Sequence, residues 1–317
     1  MKNLLKKLLA VALVATGLAA TAQDVWPPKT IKIVSSFPSG AGPDVALRKA
    51  VVLLEEKWKT NIVVENRPGG NGIVAIKAFN NEPANSTIFF GTSNNLVIYP
   101  TVTNQLDLIK NFEPFMGWLK SDHVLIAPAG IKTLDQLKAA MQKNSAFGSW
   151  AVGSQSHVNG VVFSQAFGFT PVHAPYKDNG TWFTDVSNGL LSFSFTTPAT
   201  GRALREAGKL NFLAVNSPRR DPRFPDVPTI EEFTGKKINL LNPYVSFVVN
   251  STAPDHIKKT IQNDLVEVIQ SSTMTAQLAP IGYLPWIITI PEYKRYLKTY
   301  GDDYLNFLKV NKIDDIK

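Results

Sequence analysis

The sequence predicts an α/β protein, and three observations carry that reading. Short β-rich runs alternate with stretches of helical period. The turns that lead from strand to helix are rich in Gly, Ser, Thr and Asn. Two long amphipathic stretches occupy the last sixty-odd positions. The composition agrees: 317 residues, 44% apolar and 18% charged, enough for about two domains and too apolar for disorder.

The elements follow in order. Ile31–Ser35 is β-rich, and the Phe37–Gly42 turn after it holds Pro, Gly and Ser. A helix is predicted from about Pro43 to Trp58, with Val45, Leu47, Val51, Leu54 and Trp58 apolar; Pro43 suits a first helical turn, where its missing N–H costs nothing. Ile62–Glu65 is a second strand, Asn66–Gly72 a turn, Ile73–Phe79 a helix and Thr87–Phe90 a strand. Such alternation argues for a mostly parallel sheet. A second α/β series starts near Pro128. It has helices at Thr133–Gln142, from Gly153-Ser154 to Ala166, and at Thr181–Ser187 and Thr200–Ala207. Its strands are Ala146–Ser149, Thr170–Ala174, Leu190–Phe195 and Leu210–Val215. Tyr244–Val249 is a further strand. In the helix Pro254–Ser271, Ile257, Ile261, Leu265, Val268 and Ile269 share a face; in Pro291–Val310, Tyr293, Leu297, Tyr300, Tyr304 and Leu308 do. Both stripes read as core.

Several chemistries drop out. The absence of cysteine excludes disulfides, thiolate metal sites and cysteine nucleophiles. Residues 1–22 combine Lys2, Lys6 and Lys7, an apolar run from Leu8 to Leu18 and the A-x-A signal Ala20-Thr21-Ala22. This is a signal peptide with cleavage expected after Ala22; the run is too short to span a bilayer. The address it implies is the periplasm. Without those lysines the formal charge falls from +8 to +5. What remains is diffuse, and the cluster Arg219–Arg223 is broken by Asp221 and Pro222, so no nucleic-acid partner is expected. His123, His157, His173 and His256 show no metal-ligand spacing, and no cofactor is expected. Gly40-Ala41-Gly42 follows a strand, but Val45 stands where a dinucleotide turn needs its third glycine. Gly91-Thr92-Ser93 lacks the last glycine of a nucleophile elbow. Ser154 and His157, three apart at a helix start, leave a hydrolase as a rival reading.

The remaining signal is a set of turns between strand ends and helix starts: Ser36–Gly42, Gly91–Asn95, Ser149–His157 and Tyr176–Gly180. Small residues admit a ligand to the backbone, and helix N-termini offer free N–H groups and a positive dipole end. That combination suits an anion, although ordinary strand–helix turns have the same composition.

Six segments in register go further. They are Ser36-Phe37-Pro38-Ser39-Gly40-Ala41-Gly42-Pro43-Asp44, Val63-Val64-Glu65-Asn66-Arg67-Pro68-Gly69-Gly70, Gly91-Thr92-Ser93, Gly148–His157, His173-Ala174-Pro175-Tyr176-Lys177 and Phe224-Pro225-Asp226-Val227-Pro228-Thr229. In this order they resemble the periplasmic substrate-binding proteins of tripartite tricarboxylate transporters, the Bug family, over nearly the whole chain after the leader. The resemblance implies a two-lobed periplasmic binding protein fold of the type II kind, with the ligand cleft between lobes and two crossings, near Ile126–Ala129 and Asn239–Tyr244. Residues 23–127 and 242–317 would form one lobe and 128–241 the other. It also implies a monomer that is not an enzyme. Such a protein captures an organic carboxylate, a dicarboxylate or an aromatic acid, and delivers it to integral membrane permease subunits; a sensing role beside a signalling partner is the alternative.

Carried onto this chain, the ligand contacts fall on Phe37, Ser39, Gly40, Ala41 and Gly42, then Thr92 and Ser93. Trp150, Gly153, Ser154, Ser156 and His157 follow, with Tyr176 and Thr196. The carboxylate is expected on hydroxyls and on the backbone N–H groups around Gly40–Gly42 and Gly153–Ser154, with no arginine clamp. Ser39 and Ala41 replace a proline and a glycine usual in the family, and Trp150 replaces a common serine. Thr196 stands where amine-binding members carry an aspartate, so a simple acid is expected to bind better than its α-amino analogue. Plainer roles compete: capping for Ser154 and Ser156, packing for His157, a cleft wall for Trp150, structural bracing for Asp44 and Arg67, and a surface pair for Lys177 and Asp178.

Overall fold

The computed structural model describes residues 26–281, 283–286 and 288–310. The leader 1–22 and its cleavage point lie outside the described residues.

Strand β1 (Thr30–Ser35) alternates Ile31 and Ile33 against Lys32 and Val34, so it buries both faces of a sheet. Helix α1 (Gly42–Trp58) follows, then β2 (Asn61–Asn66), α2 (Ile73–Asn80) and β3 (Thr87–Thr92). A π-turn at Asn94–Ile98 runs into α3 (Tyr99–Val102). Two strands that the sequence did not reveal come next, β4 (Phe112–Lys120) and β5 (Val124–Pro128). Pro114 and Gly117 mask the β pattern of β4. The strand tolerates Pro114 because its ladder with a later strand shifts register there, and bulges accept a missing donor.

The second series is α4 (Leu134–Lys143), β6 (Ala146–Ser149), α5 (Gln155–Ala166), β7 (Val172–Pro175), α6 (Asn179–Ser187), β8 (Phe193–Thr196), α7 (Pro198–Glu206) and β9 (Leu210–Val215). The remaining elements are α8 (Ile230–Thr234), β10 (Tyr244–Asn250), α9 (Asp255–Ile269), α10 (Ser272–Leu278), β11 (Leu284–Pro285) and α11 (Ile290–Val310). Asp178 caps α6 through the Thr181 N–H at 2.8 Å.

The strands form two mixed sheets, ordered β11-β4-β10-β3-β1-β2 and β7-β6-β8-β5-β9. The expectation of mostly parallel pairing holds for β2-β1-β3 and for β7-β6-β8. It fails for β10 and β4 in the first sheet and for β5 in the second, which pair antiparallel. Those strands flank the places where the chain changes sheets and returns, which reverses its direction. β5 belongs to the second sheet, so the first crossing lies between Lys120 and Val124, ahead of the expected Ile126–Ala129. The return runs between β9 and β10 and ends beside the expected Asn239–Tyr244.

Amides tie the two crossings together. Asn242 accepts from the His123 N–H and the Asn216 side chain, both at 2.9 Å, and donates to Asp122 and the Asn216 carbonyl. His123 is buried, which pulls its pKa down to about 3; the neutral ring takes the Asn159 amide at 3.0 Å.

Each sheet has its own core. Ile31, Leu47, Phe90, Trp118, Phe247 and Leu265 pack on one face of the first. Phe147, Phe163, Phe193 and Phe195 pack on one face of the second, and Trp182, Phe183 and Phe212 on the other. Each fully buried apolar side chain contributes about 1.5–3 kcal/mol. A separate cluster joins the sheets: Tyr293, Tyr300, Tyr304 and Leu308 of α11 meet Val158 and Val162 of α5.

Candidate functional site

The loop after β1 owes its shape to Asp44. The carboxylate, fully buried in the first turn of α1, accepts from the Gly40 N–H (2.8 Å), Asn66 (2.7 Å) and Arg48 (2.9 Å). Burial pushes its pKa up, but the bonds from Asn66, Gly40 and Arg48 outweigh it and hold the group below its ordinary value. Gly40 takes the left-handed turn at φ 78°. Ala41 is extended at φ −64°, outside the left-handed region, so its Cβ puts no strain on the loop. Phe37 packs its ring on Phe90 and gives its carbonyl to Asn66; Ser39 is exposed. Gly42 meets the Tyr283 hydroxyl, 2.6 Å from where a Cβ would sit. Arg67 pairs with Glu65, which also pairs with Lys32, so it braces the end of β2.

At the end of β3, Asn95 accepts from the Thr92 N–H at 2.9 Å and its own N–H reaches the Thr92 hydroxyl. Ser93 is buried and accepts from Gln155 at 2.6 Å.

The loop after β6 is bonded inward. Ser154 is the N-cap of α5: its hydroxyl accepts from the His157 backbone N–H (3.3 Å) and donates to the Ala151 carbonyl (2.8 Å), with Ser156 at 3.1 Å. His157 Nδ1 accepts from the Gly153 N–H at 3.0 Å. Its ring lies 3.9 Å from that of His173, whose Nε2 is 2.6 Å from the Ser149 hydroxyl. Burial lowers the His157 pKa to about 4; burial and the neighbouring His157 lower that of His173 to about 3. Both rings are neutral near pH 7. A hydrolase would need Ser154 Oγ on the ring of His157; the hydroxyl instead bonds the backbone.

Trp150 is 37% exposed and meets Trp182 edge-on at 5.5 Å. The Tyr176 hydroxyl donates to Asp185 at 2.6 Å; burial first, then that bond, push its pKa up to about 12. Thr196, at the end of β8, is 1% exposed, and its hydroxyl has no hydrogen-bond partner among the described residues.

The N–H groups of Gly40, Ala41, Gly153 and Ser154, expected on a ligand carboxylate, bond Asp44, the Pro38 carbonyl, His157 and the Ala151 carbonyl in this structure. They hold the loops themselves, because a loop built on glycine needs internal bonds to keep one conformation. Bonds between the two sheets' loops were not legible in the sequence: Gln155 to Ser93 and Asn71 to the Val152 carbonyl (3.1 Å); nor was the bond from Tyr304 of α11 to the Gly153 carbonyl (3.0 Å). Tyr283 was missed as well: Pro280 and Gly282 mark a turn beside it, but nothing in that spacing places its side chain against the start of α1.

Known proteins agree with this architecture. Residues 46–302 match the model of the tripartite tricarboxylate transporter family receptor. Protein BugT of Bordetella pertussis is 25% identical over 301 residues, covering 90% of each chain. A Rhodopseudomonas palustris protein solved with adipate has a TM-score of 0.81 at 22% identity, over 91% of this chain and 99% of its own. MatC of the same organism, solved with bound malate, has a TM-score of 0.73 at 17% identity, over 92% and 100%. With four fifths of its length inside the family match, the chain belongs to the tripartite tricarboxylate transporter receptor family.

Proposed function

We propose that the protein is a periplasmic solute-binding protein, exported by a leader cleaved after Ala22, that closes around an organic carboxylate and hands it to membrane permease subunits. The lobes correspond to the two sheets, with boundaries at the Lys120–Val124 crossing and the Asn242 crossing. The observation that carries the reading is the convergence of hydroxyl-rich loops from both sheets. Ser93 and Asn71 of one bond Gln155 and Val152 of the other directly, which is how a closed cleft would be held. Phe37, Ser39–Gly42, Thr92, Ser93, Trp150, Gly153, Ser154, Ser156, His157, Tyr176 and Thr196 remain the proposed lining. Family membership and the neighbours solved with adipate and malate support a small acid as ligand, and the protein acts as a monomer.

A thermal-shift and calorimetric screen of adipate, malate and benzoate tests this. A true ligand at 100 times its Kd should stabilise the fold by about 2.7 kcal/mol, and small-angle scattering should show no larger radius with ligand than without. If no organic acid shifts the transition, the reading fails.

A further inference from the structure

Taking the chain as a binding protein whose lobes are the two sheets, we propose that Asn71, Gln155 and Tyr304 form a latch that holds the lobes closed before any ligand arrives. None of the three stands in the proposed lining, so each is a positioning residue that acts on the ligand through closure. The latch closes on one short segment, residues 152–155, which follows β6 of the second sheet. Three separate parts of the first lobe grip it. The Asn71 amide, in the turn before α2, donates to the Val152 carbonyl at 3.1 Å. The Tyr304 hydroxyl of α11 donates to the Gly153 carbonyl at 3.0 Å. Ser93, after β3, accepts from the Gln155 side chain at 2.6 Å.

Both sides of these contacts are fixed. Helix α11 is anchored to the first sheet, where the Tyr293 hydroxyl donates to Ser246 of β10 at 2.5 Å. Asn95 joins Asn71 to the end of β3: its amide donates to the Asn71 carbonyl at 2.8 Å, and its side-chain oxygen takes the Thr92 N–H at 2.9 Å. On the other side the segment is stiffened from within, since His157 takes the Gly153 N–H and Ser154 caps α5. A pull at any of the three points therefore moves the loop and α5 together.

The seam is also dry. Ser93 is fully buried, and Gln155 and Tyr304 are 5% and 1% exposed. Opening breaks three bonds and parts the apolar face of α11 from α5, where Tyr304 and Leu308 meet Val158 and Val162. Closing restores all of this with no ligand atom among the partners. A ligand held only by the closed form has an apparent Kd equal to its intrinsic Kd divided by the closed fraction. The latch therefore tightens every acid by one common factor. Entry waits on opening, so the same latch slows association.

Two substitutions open the latch and keep backbone and packing. Asn71 sits at φ 54°, so Asn71→Gly removes the amide without strain; Tyr304→Phe removes one hydroxyl and leaves the ring. Without ligand, small-angle scattering of the full chain should give the double variant a larger radius than wild type. Excess adipate, malate or benzoate should return it to the wild-type value, while wild type keeps one radius throughout. Calorimetry should show affinity lowered by about two- to tenfold per removed bond, by the same factor for each acid that binds, and stopped-flow association should be faster. A merely structural role would lower the melting temperature and move neither the ligand-free radius nor the association rate. Gln155→Met gives the same readouts if the double variant does not fold. Equal ligand-free radii in wild type and variant, or a wild type that contracts as acid is added, overturn the latch and leave the binding function standing. If no acid binds wild type, the binding function fails, and the ligand-free radii still decide the latch.

Discussion

Asp44 shows how one buried carboxylate sets a loop. It accepts from a backbone amide, a side-chain amide and a guanidinium, so its removal strands three donors at once. Asp44→Ala should cost about 1–3 kcal/mol, read as a lower urea midpoint at unchanged slope. The sign of its pH dependence follows from its lowered pKa. The contribution is complete above the ordinary carboxylate value and is lost as pH falls through the folded one, so wild type and variant should converge in acid. A constant gap down to low pH would show that the charge is not what matters. Asp44 and Arg67 as braces were legible in the sequence because their partners lie in the adjoining loop and strand end. The inward bonding of Gly153 was not: its acceptor, His157, could equally have faced the ligand.

At the scale of elements, the strand–loop–helix unit β1–α1 depends on a single left-handed residue. Gly40 has φ 78° and open space where a Cβ would stand. Gly40→Ala therefore meets no clash, and its whole cost is conformational, about 1–2 kcal/mol; chemical denaturation should read that value. A change below a few tenths would mean that the loop relaxes to another shape. Elements with strong periodicity were legible: α1, α9 and α11 fall close to their expected bounds, because the face each buries is written in its own sequence. β4 was not, since Pro114 and Gly117 break the pattern and only the ladder with β10 supplies the compensation; β5 was not, since it is a short apolar run whose partners, β8 and β9, lie far along the chain.

For the whole molecule, the two sheets are bound through the amide network at the crossings and by α11 lying against α5. Neutral histidines sit at both kinds of junction: His123 at a crossing, His157 and His173 behind the α5 loop. Their pKa values are lowered to about 3, about 4 and about 3. Above the ordinary histidine value of about 6.5 both folded and unfolded chains are neutral there, and stability is full. As pH falls below that value the unfolded chain takes up protons that the folded one refuses, and stability declines. The melting temperature should therefore drop between about pH 7 and about pH 5, before most carboxylates titrate. A flat profile across that window would place charged histidines in the native state.

The sequence by itself determined the α/β class, most strand and helix positions, and the order of the small-residue loops, because those follow from local periodicity and turn chemistry. Six loop segments in register also carried the family. Only the tertiary structure decided which strands run antiparallel, where the chain crosses between sheets, and which N–H groups the loops bond within themselves. Each of these depends on pairs far apart in sequence: Val245 with Leu119, Asn242 with Asp122, Tyr283 with Gly42. Such a contact leaves no trace in the spacing of either partner's own segment, so a buried phenol facing a helix start could emerge only from the folded chain.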